Sequence, residues 1–403
     1  MKILWVKAGG LVPPDTGGKI RSYNILRELS REHAITFFSF YAAHPGDIHS
    51  ELEAVFAKVV CIPLDLPAPK SFRESLDYGI GLFTNQPYNI SKYCRPEVRA
   101  ELRRLLQQEP FDVIICDFVI AAGAIPWDSP IPKIIFTHNV ESVIWQRHYQ
   151  VASNLTWKLL SWLEWRRMEA AERRYLRQAN HVLTVSGDDR DFFRKYVDAS
   201  KLSVIPTGAD TQYFQPAATP EEPHFLVFTG SMDWLPNEDA IEFFIKEILP
   251  LIRKEVPEVS LVVVGRKPSQ RLTDLAAGLT NVKLTGWVED IRPFLSAGAV
   301  CIVPLRIGGG TRLKIFEAMS MGKAVVSTTV GAEGLPVRDG EHLIIRDDPA
   351  AFASGTVGLL RDPVGRRKLG TAARKLVEEK FSWAQVGKEF AQVLTRVVGG
   401  SGR

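Results

Sequence analysis

Cysteine is scarce in this chain. Cys61, Cys94, Cys116 and Cys301 are the only four in 403 residues. They are too few and too scattered for a disulfide framework or a zinc knuckle, so an apolar core must hold the fold. Cys116 and Cys301 lie inside apolar runs and read as small core residues. Long apolar runs are lacking as well. The opening "MKILWVKAGG" is interrupted by Lys7 and is too short for a signal peptide. Stretches such as "FVIAAGAIPW" fall short of the roughly 20 residues needed to span a bilayer. Charge of one sign is not in excess: the formal net charge is +4, which gives no global field for nucleic acid. These absences predict a cytoplasmic protein in a reducing compartment, with contact at the inner face of a membrane as the furthest it goes toward lipid.

Two familiar phosphate motifs are also missing. There is no G-x-x-x-x-G-K-[ST] loop, and no G-x-G-x-x-G followed by a distant acid. The second absence argues against a nicotinamide oxidoreductase. No Asp-x-Asp or His cluster stands in a loop suited to a metal, so no metal and no cofactor is expected.

What is present is a repeating pattern. Apolar residues make up 45% of the chain and charged residues 24%, as in ordinary globular proteins. The length exceeds the roughly 250–300 residues of a single core, which predicts two domains. Short apolar runs alternate with amphipathic segments, the pattern of a doubly wound α/β sheet. The first half offers "KILWV", "AITFFSF", "VVCIP", "VIICD", "KIIFTH", "HVLTVS" and "LSVIP". The second offers "FLVFTG", "SLVVVG", "VKLTG", "AVCIVPL", "AVVST" and "HLIIR". Between them "PTGADTQYFQPAATPEEPH" has no periodicity and reads as a linker. The expected boundaries are an N-terminal domain 1–207, a linker 208–222, a C-terminal domain 223–380 and a final helix with its tail, 381–403. Each half opens with a strand, a Gly-bearing loop and a helix. This predicts two Rossmann-like domains facing across a cleft, with ligands at the carboxyl ends of the strands. Gly230 sits in the second such loop. The last segment places Trp383, Val386, Phe390 and Val393 at helical spacing, and "GGSGR" reads as a disordered tail.

One stretch carries the chemistry: "CIVPLRIGGGTRLKIFEAMSMGKAVVSTTVGAEGL". A buried strand runs into Gly308, Gly309 and Gly310. Thr311 is placed to cap the helix that follows, and Arg312 and Lys314 stand in its first turn. Glycines let the backbone approach a ligand, and a helix N-terminus favours an anion such as a phosphate. Lys314 and Glu317 share a helix face. Together they could hold a nucleoside diphosphate, with Lys314 on phosphate and Glu317 accepting from ribose hydroxyls. The competing reading is a flexible turn beside a surface ion pair.

This segment, with "FEAMSMGKAVVST" and "GAEGL", resembles the donor site of family 4 retaining glycosyltransferases with the GT-B fold. "VIPTGADTQYFQP", "VGRKP", "LTGWVEDIRPFLSAGAVCIVPL" and "FSWAQV" follow in the family's order, so the resemblance covers nearly the whole chain. It implies a helix glutamate on ribose, here Glu317, and loop amides with basic residues on the diphosphate. It implies a UDP-sugar or GDP-sugar donor, a glycan or lipid-linked sugar acceptor, retention of configuration, and a last helix that crosses back to the N-domain. Three departures stand out. The family's earlier glutamate falls on Gly309, its usual Arg and Lys are replaced within "GSMDWLPNEDA", and its usual asparagine is Thr207. Arg312, Lys314 and Arg266, the last directly after a strand, are then expected to supply positive charge.

The first half contributes "PPDTGGKIRSYNIL", where Gly17 and Gly18 open a helix in a loop that the resemblance places against the donor phosphates and the acceptor, and Arg21 lies in its first turn, facing an anion or simply solvated. His138 ends "KIIFTH", at a point where the family carries a functional histidine near the transferred sugar. Asn139 and Glu141 follow it. "NLTWKLLSWLEWRRMEAAERRYLRQANH" is rich in Trp and Arg; its helix, 155–177, either touches anionic lipid or packs on the N-domain with a Glu169–Arg173 pair on its wet face. "SLDYGIGLFTNQPYNISKYC" reads as an aromatic loop on the acceptor side. A weakly active sugar-nucleotide-binding scaffold and a nucleotide-sugar 2-epimerase of the same fold are the alternatives to a transferase.

Overall fold

The computed structural model describes residues 1–41, 51–68, 71–81, 84–152, 154–217, 220–307 and 313–400. It divides into two compact units. One comprises Met1–Pro206 with Val386–Arg403, the other Thr207–Gln385.

Every apolar run named above carries a strand. In the first unit these are β1 (Lys2–Ala8), β2 (Ala34–Tyr41), β3 (Lys58–Pro63), β4 (Val113–Asp117), β5 (Lys133–Phe136), β6 (His181–Thr184) and β7 (Leu202–Val204). They form one sheet in the order β3-β2-β1-β4-β5-β6-β7, all parallel. Parallel strands are covered on both faces, which is why they read as unbroken apolar runs rather than alternating ones. Ile3 lies between Ile35 and Val113, and Trp5 between Phe37 and Ile115, all fully buried. The chain winds outward from β1 to β3, then returns to β4 on the other side of β1. That reversal opens a crevice at the carboxyl ends of β1 and β4.

The second unit repeats the plan with β8 (Phe225–Thr229), β9 (Ser260–Val264), β10 (Val282–Leu284), β11 (Val300–Val303), β12 (Ala324–Ser327) and β13 (Ile344–Ile345). The order is β10-β9-β8-β11-β12-β13, again parallel, so its crevice lies between β8 and β11. Glu221 is pinned to this unit by Lys323 at 2.6 Å and Arg366 at 2.9 Å. The added Cβ of any residue other than glycine at 208 would lie 2.4 Å from the Trp383 ring.

The last helix, Trp383–Gly400, forms as its spacing predicts. Val386, Phe390 and Val393 are buried in the first unit. Gly399 and Gly400, expected in a disordered tail, belong to the helix. The segment expected as an aromatic loop instead holds the helices Phe72–Gly81 and Tyr88–Tyr93. Gly79 and Gly81 interrupt the helical pattern of its sequence. What stabilises it is local: Ser71 caps the Glu74 amide, a Glu74–Lys92 ion pair ties the two helices together, and Asp77 pairs with Arg95 just beyond the second.

Candidate active site

In the second unit, polar groups converge at the crevice between β8 and β11. The helix Leu313–Ser320 follows β11, and Lys314 in its first turn donates to Asn237 Oδ1 at 2.6 Å. Its Nζ also lies 4.0 Å from the Phe228 ring centroid, on β8. Asn237 in turn donates to the Ser231 carbonyl at 2.8 Å. Gly230 makes this closeness workable. Its φ is +154°, and a Cβ there would come within 2.7 Å of Lys314 Nζ and 2.8 Å of Asn237 Nδ2. The loop after β8 is tied to the loop after β9, where Arg266 donates through Nε to Ser231 Oγ at 2.9 Å.

Glu317 lies three residues beyond Lys314 and is partly buried. Burial pushes its carboxyl up to about 7, with Lys314 pulling the other way. A carboxyl so raised by burial, close to a lysine, is a candidate for ligand contact. Gly308, Gly309, Gly310, Thr311 and Arg312 lie outside the described residues.

The first unit builds a different arrangement at its own crevice. Asp117, the last residue of β4, is fully buried. It accepts from Lys7 Nζ at 2.9 Å and Trp5 Nε1 at 3.0 Å on one oxygen, and from His138 Nε2 at 2.7 Å on the other. Arg21 Nη1 lies 2.6 Å from His138 Nδ1. A guanidinium can only donate, so Nδ1 accepts and Nε2 carries the ring proton. The imidazole is therefore held neutral. Burial drives its pKa down to about 3; Arg21 and Lys7 add to that effect and Asp117 opposes it. Burial alone would raise the Asp117 carboxyl, but Lys7 and His138 hold it well below the usual carboxylate range. Phe118 stacks on the imidazole at 4.0 Å and 11°. Gly18 allows that stack, since a Cβ there would lie 2.7 Å from Phe118 Cζ.

Arg21 thus departs from the expected solvent- or anion-facing position. It is 2% exposed and turned inward onto His138. Gly17 and Gly18 begin the helix Gly17–Leu29, and Gly18 lines a cavity of about 570 Å³ with Lys7, Tyr41, Phe118 and Asn139. Sequence reasoning singled out His138 but missed Asp117, Lys7 and Asn237. The available signal was the charged residue ending each apolar strand, "VIICD" and "KILWVK". Glu169, expected to pair with Arg173, instead meets Arg166 at 3.1 Å and the Tyr196 hydroxyl at 3.1 Å. Among the described residues no group of three or more His, Cys, Asp or Glu side chains could hold a metal ion. No helix among them is long and apolar enough to cross a membrane.

Two doubly wound parallel sheets, each with polar groups gathered at its strand-order reversal, define a GT-B type protein. Residues 16–213 match Glycosyltransferase Family 4 and residues 223–362 match Glycosyl transferases group 1, and the chain belongs to this family. Phosphatidyl-myo-inositol mannosyltransferase of Mycobacterium tuberculosis is 29% identical over 209 residues, covering 48% of this chain and 54% of that one. The chain spans about half the length of the first curated relatives it matches. Among solved structures, sucrose-phosphate synthase from Thermosynechococcus elongatus superposes with a TM-score of 0.70 at 18% identity, covering 99% of this chain and all (100%) of that one. Anabaena Alr3699/HepE, solved in complex with UDP-glucose, gives a TM-score of 0.66 at 15% identity, covering 98% and 100%.

Proposed function

We propose that the chain is a retaining glycosyltransferase. It moves a sugar from a nucleoside-diphosphate sugar to a hydroxyl of a glycan or lipid-linked sugar, in polysaccharide or glycolipid biosynthesis. The observation that carries this reading is the meeting of Gly230, Asn237, Lys314 and Glu317 at the β8/β11 reversal. A solved relative in fold holds UDP-glucose, which supports a nucleotide-sugar donor.

In this scheme Lys314 faces the diphosphate and Glu317 the ribose. Negative charge grows on the departing diphosphate in the transition state. Arg312, Lys314 and the amides of Gly309, Gly310 and Thr311 are assigned to stabilise it, with the amides of Gly308 and Gly230 and the side chain of Arg266 at the edge of the donor site. One such donor is typically worth about 3–4 kcal/mol. His138 has both ring nitrogens engaged, so its role is to position Arg21 and Asp117 rather than to carry a proton. The charge scheme needs no metal. The cytoplasm, where such donors are available and the four thiols stay free, is the assigned compartment.

The test is turnover of a panel of UDP- and GDP-sugars by the full chain, read as release of nucleoside diphosphate with and without acceptor sugars. Turnover of one donor, undiminished by chelator, is the expected result. No release from any donor sinks the transferase reading, and a strict need for added Mg²⁺ or Mn²⁺ sinks the metal-free scheme.

A further inference from the structure

The cavity of the first unit has a one-sided charge. Among its lining residues the only ionic ones are Lys7 and Lys19, and no carboxylate joins them. Tyr41, Tyr93, Phe118 and Asn139 add aromatic and amide groups to a wall otherwise made of Thr16, Leu66 and small residues. Aromatic faces and a few placed polar groups suit a sugar ring.

Lys7 is an unusual cation to find there. It is 3% exposed and sits at the carboxyl end of β1. An ammonium has three protons to give. Asp117 takes one, at 2.9 Å, and no other hydrogen-bond acceptor for Lys7 is present among the described residues. Asp117 also serves Trp5 and His138, so its charge is shared over three donors. The Nζ stands 4.8 Å from the Phe118 ring centroid, over the face of the ring that stacks on His138. Phe118 takes a φ of +68° to present that ring, a conformation that non-glycine residues seldom adopt. Burying a lysine is costly unless its charge is matched. Here the Asp117 carboxylate, divided three ways, faces Lys7 and also Arg21, which Asp189 attracts as well. Lys19, at the rim, is held by Asp15 at 2.9 Å and the Pro13 carbonyl at 3.3 Å.

We infer that this cavity binds the acceptor and that Lys7, with Lys19, selects an acceptor sugar carrying an oxyanion, a phosphate or a carboxylate, close to the ring that receives the transferred sugar. This rests on the transferase reading and names the acceptor class within it. The phosphate of a lipid-linked sugar and the carboxylate of a uronic acid present the same chemistry to Lys7. A neutral glycan adds no charge to the shared Lys7–Asp117 pair and is disfavoured.

The experiment compares three glycosides of one sugar as acceptors for the full chain: neutral, phosphorylated, and oxidised to the uronate. The wild type is expected to favour an anionic acceptor over the neutral one by about tenfold to hundredfold in kcat/KM, the worth of one charge-assisted hydrogen bond. Which anionic glycoside is used identifies the source. Lys7→Gln and Lys19→Gln should raise the acceptor KM and flatten the preference, and Lys19→Gln should leave the donor KM and the rate of donor hydrolysis without acceptor unchanged. Lys7→Arg should restore part of the preference. Lys19 is partly exposed, so its variant reports even if Lys7→Gln fails to fold. Equal use of neutral and anionic acceptors overturns the inference, as does a rise in donor KM in place of acceptor KM. Loss of all donor turnover in the wild type would instead overturn the transferase reading beneath it. Donor hydrolysis with no acceptor preference separates the two failures.

Discussion

Two side chains show how position sets chemistry at the residue scale. Glu317 and His138 are both shifted by burial, in ways that give opposite pH slopes. The Glu317 carboxyl titrates near 4.5 when unfolded and about 7 when folded. Between those values the folded state holds a proton that the unfolded state has lost, so stability falls as pH rises through that window. Glu317→Gln should therefore melt higher than wild type at pH 8 and together with it at pH 4.5. The same variant should raise the donor KM, because a neutral amide accepts weakly from ribose. Equal melting at both pH values would show that the carboxyl is not buried as described. His138 titrates near 6.5 unfolded and about 3 folded. Here the unfolded state holds the extra proton, so stability is lost as pH falls from about 6.5 toward 3. His138→Gln should flatten that acid limb in thermal melts. Lys314→Ala should cut transfer by about 100-fold or more with the melting curve intact, in line with loss of one charge-stabilising donor. Unchanged transfer would remove Lys314 from the site.

At the element scale, the helix Leu155–Gln178 resolves a conflict left open by its sequence. One stripe packs inward: Ser161, Glu164, Met168, Ala171 and Glu172 are buried. Its first turns do the opposite. Leu155 is 83% exposed, and Leu159, Trp157 and Trp162 are also exposed, with Lys158 among them. Nearby Phe72, Leu76 and Ile80 form a second exposed stripe, at spacings of four, on the helix Phe72–Gly81. Arg167 bonds the Gly81 carbonyl and so links the two helices. The helix is thus both a core helix and an amphipathic one, at different ends. We propose that its first turns rest on an anionic membrane, as suits a lipid-linked acceptor. Cosedimentation with vesicles containing anionic lipid should be strong for the wild type and weak for a Leu159→Ser/Trp162→Ser variant. Equal binding of both, or none by either, would reject this contact.

At the scale of the whole molecule, the last helix is the informative element. Phe390 is fully buried, with its ring 5.6 Å from Trp5 and 5.4 Å from Phe136. Gly387 lets the helix approach Glu28, where a Cβ would come within 2.5 Å. The final residues of the chain thus complete the core of the unit that its first residues begin. Phe390→Ala should destabilise the first unit by about 3–5 kcal/mol, the usual cost of deleting a buried phenylalanine ring. Gln392→Ala, on the exposed side, should change melting little. A neutral Phe390→Ala would mean that the helix does not belong to that core.

The sequence by itself determined the elements. Strands buried on both faces must be apolar throughout, so each left an unbroken run that could be read directly. The final helix left its spacing, and the segment proposed for the donor left a lysine and a glutamate three residues apart on one helix. Only the tertiary structure decided who meets whom. Arg21 and His138 are 117 residues apart, and Lys314 and Asn237 are 77 apart. Asp117 joins Lys7 because β4 returns to lie beside β1. Such partners are chosen by strand order, a property of the whole sheet. Local side-chain pattern records burial and periodicity but carries no trace of which strand ends become neighbours.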